Sequence, residues 1–329
     1  MREARIPGLT ISITGPRGNY SRSYGRGRIA PQVPMRATDH VRIASITKTF
    51  VATAILQQVD RGRLRLSHTI DRYVRGVPNG KKITIRELLA MRSGIYDFTA
   101  DPTFHREFER NPLMRFRPLD IIPIIRRHQP LFPPNARTQY ADTNYILLGI
   151  VLQKVTGRSP ESVITRDILR PLRLHETSFP FTAQMPSPFA HGYYAGPNGT
   201  ATIRDYTLTN PAVPWTAGAM VSSVADMRTW GRALARGTLL SRRLQALRLH
   251  FGRIPNPGVS VGYGLGIMRL GNWIGHNGAI FGYTSETFYL PSNGAQIVAS
   301  GNLSSNSSTP TTMLFGLIAK HLYPGSLGR

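Results

Sequence analysis

Apolar and polar residues alternate at the start of the chain, with Leu9, Ile11 and Ile13 set against Thr10, Ser12 and Thr14. A period of two belongs to a strand with one covered face. Gly15-Pro16-Arg17-Gly18 reads as a turn and residues 20–25 as the answering strand, so the chain opens with a hairpin. The period then lengthens. Phe50, Val51, Ala54, Ile55 and Val59 recur near every 3.6 residues until Gly62, which predicts a mostly buried helix over about 45–61. Residues 64–185 have a mainly helical pattern broken by prolines at 78, 102, 112, 118, 123, 130, 133 and 134. Thr84-Ile85-Arg86-Glu87 has the form of a capping box opening a short helix. Ile146, Leu147, Ile150, Val151 and Val155 mark the clearest helix of this stretch, 143–157, ended by Gly157.

Residues 186–217, rich in Pro, Gly, Thr and Tyr, predict irregular chain and short strands. Ser223 caps a helix to about 234, and another follows over 241–249. Strand patterns return at 264–269, 272–274, 284–290 and 295–300, with Pro291-Ser292-Asn293-Gly294 as a hairpin turn, and a helix over 313–322 closes the chain. Strands at both ends with helices between them predict an α/β (α+β) architecture. One antiparallel sheet is assembled from the N- and C-terminal strands, flanked by helices, with a mainly helical lobe inserted. The chain reads as one domain over 1–329, with a sheet lobe of about 1–62 and 218–329 and a helical lobe of about 63–217.

Composition narrows this picture. With 329 residues, 41% of them hydrophobic and 9% aromatic, the chain is globular and long enough for a real core. No apolar run is long enough to cross a bilayer, and no basic-then-apolar leader precedes the first strand. The protein therefore stays inside the cell or is exported by a segment outside this chain. Cysteine is absent, which excludes disulfides and thiolate metal sites. The net charge of +24 invites a nucleic-acid ligand, but the basic residues are scattered, form no run denser than pairs such as Arg126-Arg127, and include only five lysines. Arginine excess of this kind fits a GC-rich coding bias. No specific nucleic acid is expected, only nonspecific attraction to anionic surfaces.

Candidate chemistry begins at Ser45-Ile46-Thr47-Lys48. Three residues of helix bring a hydroxyl and an amine to one face, and a serine needs an adjacent base to become a nucleophile. Tyr140-Ala141-Asp142 follows 95 residues after Ser45, and His276 of Gly275-His276-Asn277-Gly278-Ala279 lies 136 residues after Tyr140. Singly, Tyr140 is an ordinary rim tyrosine and His276 an ordinary strand histidine. Asp142 also suits the N-cap of the following helix, accepting from the N–H of Tyr145. His175-Glu176 lacks a second histidine at helical spacing and is no zinc motif, Asp39-His40 reads as a surface turn, and no cofactor or metal is expected.

In this order the three motifs resemble those of the serine β-lactamase-like hydrolases, in the branch that contains class C β-lactamases, D-Ala-D-Ala carboxypeptidases and related esterases. The stretches Leu88-Leu89-Ala90-Met91-Arg92-Ser93-Gly94-Ile95 and Ala219-Met220-Val221-Ser222-Ser223-Val224-Ala225-Asp226 extend the resemblance over nearly the whole chain. It implies a β-lactamase-like fold with Ser45 as acylated nucleophile, Lys48 and Tyr140 sharing proton transfer, and His276 on the strand lining the pocket. The backbone N–H groups of Ser45 and Ala279 would form the oxyanion hole, and Gly278 would keep that strand open to substrate. A cell-envelope or secreted location is also implied, and so is an N-terminal helix that this chain largely lacks.

Two departures bear on mechanism. Asp142 stands where the family often has Asn. An ionised aspartate only accepts, so it would hold Lys48 charged and push the base role toward Tyr140, whose phenolate a nearby cation favours. Asn277 and Ala279 stand where peptidase relatives carry hydroxyls that grip a substrate carboxylate. Their loss points to an esterase-like serine hydrolase acting on small ester, peptide or peptidoglycan-like substrates. A D-Ala-D-Ala carboxypeptidase, penicillin-binding protein or β-lactamase is the second reading, with Arg269 as a substitute carboxylate holder. A non-catalytic binding protein of the same fold is the third.

Overall fold

The chain is described by a computed structural model over residues 6–196, 203–256, 258–305 and 309–328. The basic segment 1–5 and part of the irregular 186–217 stretch (197–202) lie outside the described residues. In chain order the strands are β1 (Gly8–Gly15), β2 (Gly18–Arg28), β3 (Val33–Pro34), β4 (Val41–Arg42), β5 (Tyr193–Tyr194), β6 (Arg204–Asp205), β7 (Val221–Ser222), β8 (Gly252–Ile254), β9 (Val261–Tyr263), β10 (Met268–Leu270), β11 (Trp273–Ile280), β12 (Tyr283–Leu290), β13 (Ala295–Gly301) and β14 (Leu303–Ser304). The helices are α1 (Thr47–Asp60), α2 (Ile85–Leu89), α3 (Pro102–Arg110), α4 (Ile121–Arg126), α5 (Thr143–Thr156), α6 (Pro160–Ile164), α7 (Trp215–Gly218), α8 (Val224–Arg236), α9 (Arg242–Arg248) and α10 (Pro310–Leu322).

Among the described residues a nine-stranded antiparallel sheet runs in the order β3-β2-β1-β13-β12-β11-β10-β9-β8. Its middle is where the two ends of the chain meet, with Leu9 opposite Gly301 and Ile13 opposite Ile297. Every residue of β12 and β13 is buried, because both faces are covered. On one face Phe288, Ile297 and Trp273 pack against Phe315 and Ala319 of α10. On the other, Thr287 and Gln296 donate to the carbonyls of Met227 and Arg228 in α8, at 3.2 and 2.9 Å. The strand period thus assigns alternate side chains to the two helical layers. Mixed helices packed on both faces of one antiparallel sheet built from the two chain ends are the arrangement that the resemblance implied.

α1 is the axis of the main core. It is buried all round from Thr47 to Gln58 rather than on one stripe. Phe50 stacks on Trp230 of α8 with centroids 3.9 Å apart, and the Trp230 indole N–H donates to the Thr49 hydroxyl at 2.7 Å. Full burial of such side chains contributes roughly 1.5–3 kcal/mol each, which makes α1 a rigid platform for whatever its first turn carries. The predicted capping box forms as expected: the Thr84 N–H donates to Glu87 Oε2 at 2.7 Å and the Glu87 N–H to Thr84 Oγ1 at 3.3 Å. Gly157 ends α5 in the left-handed conformation, φ +65°.

Three local expectations fail for identifiable reasons. The helix expected from residue 45 begins at Thr47, because Ala44–Ile46 form a separate tight turn with Ala44 at φ +49°. The strand expected over 264–269 forms only at its end, where 268–269 belong to β10; 264–267 are a tight turn between β9 and β10, closed by the Gly264 N–H donating to the Ile267 carbonyl at 2.8 Å. Gly266 there has φ +74°, and a Cβ on it would lie 2.1 Å from the Ala52 methyl of α1, so the chain bends around the helix instead of continuing as a strand. Asp39-His40 is not a surface turn: both residues are buried. His40 bridges the Pro188 carbonyl (2.7 Å) and Glu176 (3.0 Å), and Asp39 accepts the Arg36 N–H at 2.8 Å.

Candidate active site

Ser45 sits in the turn ahead of α1, and three contacts fix that turn. The Ile43 N–H donates to the Met220 carbonyl at 2.9 Å, and the Met220 N–H donates back to the Thr47 hydroxyl at 3.1 Å. The third is β11. A Cβ on Gly278 would lie 2.3 Å from the Ile43 carbonyl oxygen and 3.1 Å from the Ser45 nitrogen. Gly278 therefore does not hold the strand open for a substrate, as its sequence context suggested; the backbone of the Ser45 turn fills that space. The glycine lets β11 press against the turn and brings the main chain of Ala279 beside that of Ser45, both lining one cavity. The left-handed φ at Ala44 costs an L-residue of order 1–2 kcal/mol and is sustained by these contacts.

Lys48 lies beneath Ser45 and is fully buried. Its ammonium donates to Ser45 Oγ at 3.0 Å and to the Ala217 carbonyl at 2.6 Å, and pairs with Asp142 Oδ1 at 2.6 Å. Three acceptors around three N–H bonds satisfy a charged ammonium, which unpaired burial would penalise heavily. Asp142 occupies the N-cap position of α5 but makes no side-chain cap. The Tyr145 N–H is taken by the Asp142 backbone carbonyl at 2.9 Å, so the carboxylate is free to face Lys48. The turn carrying Tyr140 and Asp142 is tied to the Leu88–Ile95 stretch: the Ser93 hydroxyl contacts Asn144 Oδ1 at 2.6 Å, and the Gln139 N–H donates to the Met91 carbonyl at 2.8 Å.

The Tyr140 hydroxyl is buried beside Ser45, and the Lys48 ammonium stands 5.0 Å from its ring centroid. Burial drives this phenol well above 10 and the Asp142 charge adds to it, against the smaller opposing influence of the Ser45 hydroxyl. Desolvation thus outweighs the favourable cation, and the resting Tyr140 is a neutral phenol rather than the phenolate the sequence suggested. A residue that sequence reasoning missed, Asp97, adds to this field. Its carboxyl is pushed up to about 7, first by burial and then by the Asp142 charge, while the backbone N–H groups of Thr99 and Asp142 oppose the shift. The Tyr140 phenol is raised by Asp97 as well.

His276 is enclosed behind the cavity rather than exposed in it. Its Nε2 lies 3.0 Å from the Tyr263 hydroxyl and its Nδ1 2.5 Å from the Asn277 carbonyl, and its ring centroid is 6.3 Å from that of Tyr140. Burial, with the Lys48 charge, pushes it down to about 3, so the imidazole is neutral. Asn277 turns the other way, toward α10, with its amide 3.4 Å from the Thr312 hydroxyl. Arg269 lays its guanidinium over the Phe251 ring at 5.0 Å and is not part of the cavity wall.

The cavity holds about 290 Å³ and its surface is mainly apolar. Ser45, Asp142, Ala217 and Ala279 form its floor, and Phe98, Phe104, Phe108, Tyr194 and Phe281 an aromatic wall. The wall is a continuous packed cluster, with Phe98–Phe104 centroids 5.0 Å apart, Phe108–Phe281 5.3 Å and Tyr194–Phe281 4.6 Å. No lysine or arginine is among the described residues lining it. The cavity thus brings together the Ser45 hydroxyl, with the Lys48 ammonium 3.0 Å from it, the strand residue Ala279 and an aromatic wall.

A family model described as Beta-lactamase matches residues 1–314. Among curated proteins, "Protein flp" of Staphylococcus aureus (strain NCTC 8325 / PS 47) is 29% identical over 238 residues, 70% of this chain and 46% of the relative. "Putative penicillin-binding protein PbpX" of Bacillus subtilis (strain 168) is 26% identical over 264 residues, 80% of this chain and 62% of that protein. The chain thus spans about half the length of the first of these relatives. Among solved structures, a D-stereospecific amidohydrolase from Streptomyces sp. superposes with TM-score 0.85 at 30% identity, covering 96% of this chain and 94% of that one. D-amino acid amidase from Ochrobactrum anthropi SV3, complexed with L-phenylalanine, superposes with TM-score 0.84 at 23% identity, covering 98% and 95%. Motif order, sheet topology and the family match agree that this chain belongs to the Beta-lactamase family of serine β-lactamase-like hydrolases.

Proposed function

We propose that this chain is a serine hydrolase that forms an acyl-enzyme at Ser45 with small ester or amide substrates bearing an apolar, aromatic acyl group. The observation that carries the reading is Ser45 Oγ, 3.0 Å from a fully buried Lys48 ammonium, opening onto the aromatic cavity. Lys48 and Tyr140 act as one proton-holding pair, and the pair that has lost one proton is the base. It takes the Ser45 proton as Oγ bonds to the substrate carbonyl carbon, and the oxyanion is held by the N–H groups of Ser45 and Ala279. The same proton passes to the leaving alcohol or amine as the C–O or C–N bond breaks. Water then attacks the ester in the reverse sense, returning Ser45. His276 and Asn277 support β11 from behind.

Ester and neutral amide substrates are preferred to a free terminal carboxylate, since the described lining offers no lysine or arginine to receive one. The amidohydrolase and amidase neighbours support the amide side of the reading, and the penicillin-binding relative supports the carboxypeptidase alternative. An envelope or secreted location goes with either. The discriminating experiment is a substrate panel: p-nitrophenyl esters and p-nitroanilides of D- and L-phenylalanine derivatives against a peptide ending in D-Ala-D-Ala. Loss of recognised polar groups typically changes kcat/KM by orders of magnitude, so the neutral aromatic substrates should lead by at least about 100-fold. Faster release of D-alanine from the peptide would overturn this reading in favour of the carboxypeptidase.

A further inference from the structure

Of the three tyrosines on and beside the β5–β6 pair, two have phenols with partners. The Tyr193 hydroxyl accepts the Ile29 N–H at 2.8 Å, and the Tyr206 hydroxyl donates to the Glu109 carbonyl at 2.7 Å. Tyr194 is different. Only 2% of the residue is exposed, and its hydroxyl is buried with no hydrogen-bond partner among the described residues. Its ring is held edge-on against Phe281 at 4.6 Å and Tyr206 at 5.5 Å, and it lines the same cavity as Ser45. Packing alone does not call for that oxygen, because a phenylalanine would fill the same space without an orphaned polar group.

We propose that the Tyr194 hydroxyl is a specificity-determining hydrogen-bond donor, which takes a neutral oxygen acceptor of the substrate's acyl portion while the aromatic wall takes its flat apolar part. The inference rests on the hydrolase reading above and names its substrate class: acyl groups with an aromatic side chain and a second carbonyl, as in N-acyl amino acid esters and amides. The role is donation because the phenol is pushed up to about 12, chiefly by burial and then by the Glu109 charge, and keeps its proton at any working pH. The same Glu109 charge disfavours a carboxylate at this end and selects a neutral acceptor.

The test compares two p-nitrophenyl esters of equal shape, N-acetyl-phenylalanyl and 2-benzylpentanoyl, the second lacking the amide carbonyl. Tyr194→Phe should lower kcat/KM for the first about tenfold, the scale of one hydrogen bond, and change the second less than twofold. The rate at which a fluorophosphonate labels Ser45 is measured alongside, so that any loss of the reacting groups themselves in the variant is read separately from the loss of the hydrogen bond. Equal effects on both esters, or no effect on either, would overturn the proposal. Should the unaltered protein fail to label at all, the hydrolase reading falls, and Tyr194 is then judged by binding. N-acetyl-phenylalanine amide should bind Ser45→Ala about tenfold more tightly than the Ser45→Ala/Tyr194→Phe double variant, and equal Kd values would overturn the role.

Discussion

Replacing Asp142 by Asn probes the charge arrangement beneath Ser45 with a nearly isosteric change. In the native site the carboxylate stands 2.6 Å from an ammonium that is fully buried, and it is itself 26% exposed. Removing one partner of a buried ion pair typically costs about 3–5 kcal/mol, because the other charge is left uncompensated. Two features reduce that figure here. Asparagine retains an oxygen acceptor, and the Ala217 carbonyl and Ser45 hydroxyl still hold the ammonium. We therefore expect a loss of about 2 kcal/mol, seen as a urea midpoint lower by roughly 0.7 M for an m-value near 3 kcal/mol/M. A double-mutant cycle with Lys48→Met isolates the pair: Asp142→Asn should cost little once the ammonium is gone, giving a coupling energy of about 1–2 kcal/mol. The kinetic arm has a fixed sign. Asp142 is one of the groups raising the Tyr140 phenol, so the acid limb of the pH–rate profile should move to lower pH in Asp142→Asn. Additive single and double variants, with superimposable pH profiles, would refute the electrostatic account.

Much of this site was legible because it is written in short segments. Ser45 and Lys48 are three residues apart, Tyr140 and Asp142 two, and His276 to Ala279 are contiguous, so each motif survives as a string whatever the fold does between them. The groups that complete the site have no such string. The Ala217 carbonyl that receives Lys48 is backbone, and backbone acceptors carry no sequence mark. Asp97 meets Asp142 only because the Tyr96 carbonyl accepts the Thr143 hydroxyl at 2.8 Å and the Phe98 N–H donates back to it at 2.9 Å. The aromatic wall draws Phe98, Phe104 and Phe108 from one side, Tyr194 from β5 and Phe281 from the β11–β12 turn far along the chain. The strands at 284–290 and 295–300 were placed nearly to the residue, since the Pro291–Gly294 turn signal between them bounds two runs that are buried throughout. Periodicity failed at 264–267, where close approach, of Gly264 to the Arg248 carbonyl of α9 and of Gly266 to Ala52 of α1, selected two glycines.

Three further outcomes are expected. Glu286 is 1% exposed and is pushed by burial from 4.5 up to about 8, against the hydroxyls of Thr311 and Thr312. A raised carboxyl stabilises below its unfolded value and loses that contribution as pH rises through the folded one. Thermal melts should therefore show wild-type stability falling between about pH 4.5 and 8, and Glu286→Gln should remove roughly 2 kcal/mol of that fall after allowing for relaxation. Asp97→Asn has the same sign over a window from 3.8 to about 7, and should also erase any inflection of the pH–rate profile near pH 7, since it removes a charge that acts on Tyr140. Gly278→Ala forces a Cβ to within 2.3 Å of the Ile43 carbonyl; urea unfolding should show a loss of about 1–3 kcal/mol, and ester hydrolysis at least about a 100-fold drop from the misplaced Ser45 turn.

The central claim is a covalent bond at one oxygen, and intact-mass spectrometry reads it directly. Incubation of the protein with a slowly deacylating activated ester or a β-lactam should add one acyl mass per chain, and peptide mapping should place it on Ser45, whose hydroxyl the Lys48 ammonium contacts at 3.0 Å. Ser45→Ala should gain no mass under the same conditions. An adduct that persists in Ser45→Ala, or one that maps to another residue in the unaltered protein, would contradict the account.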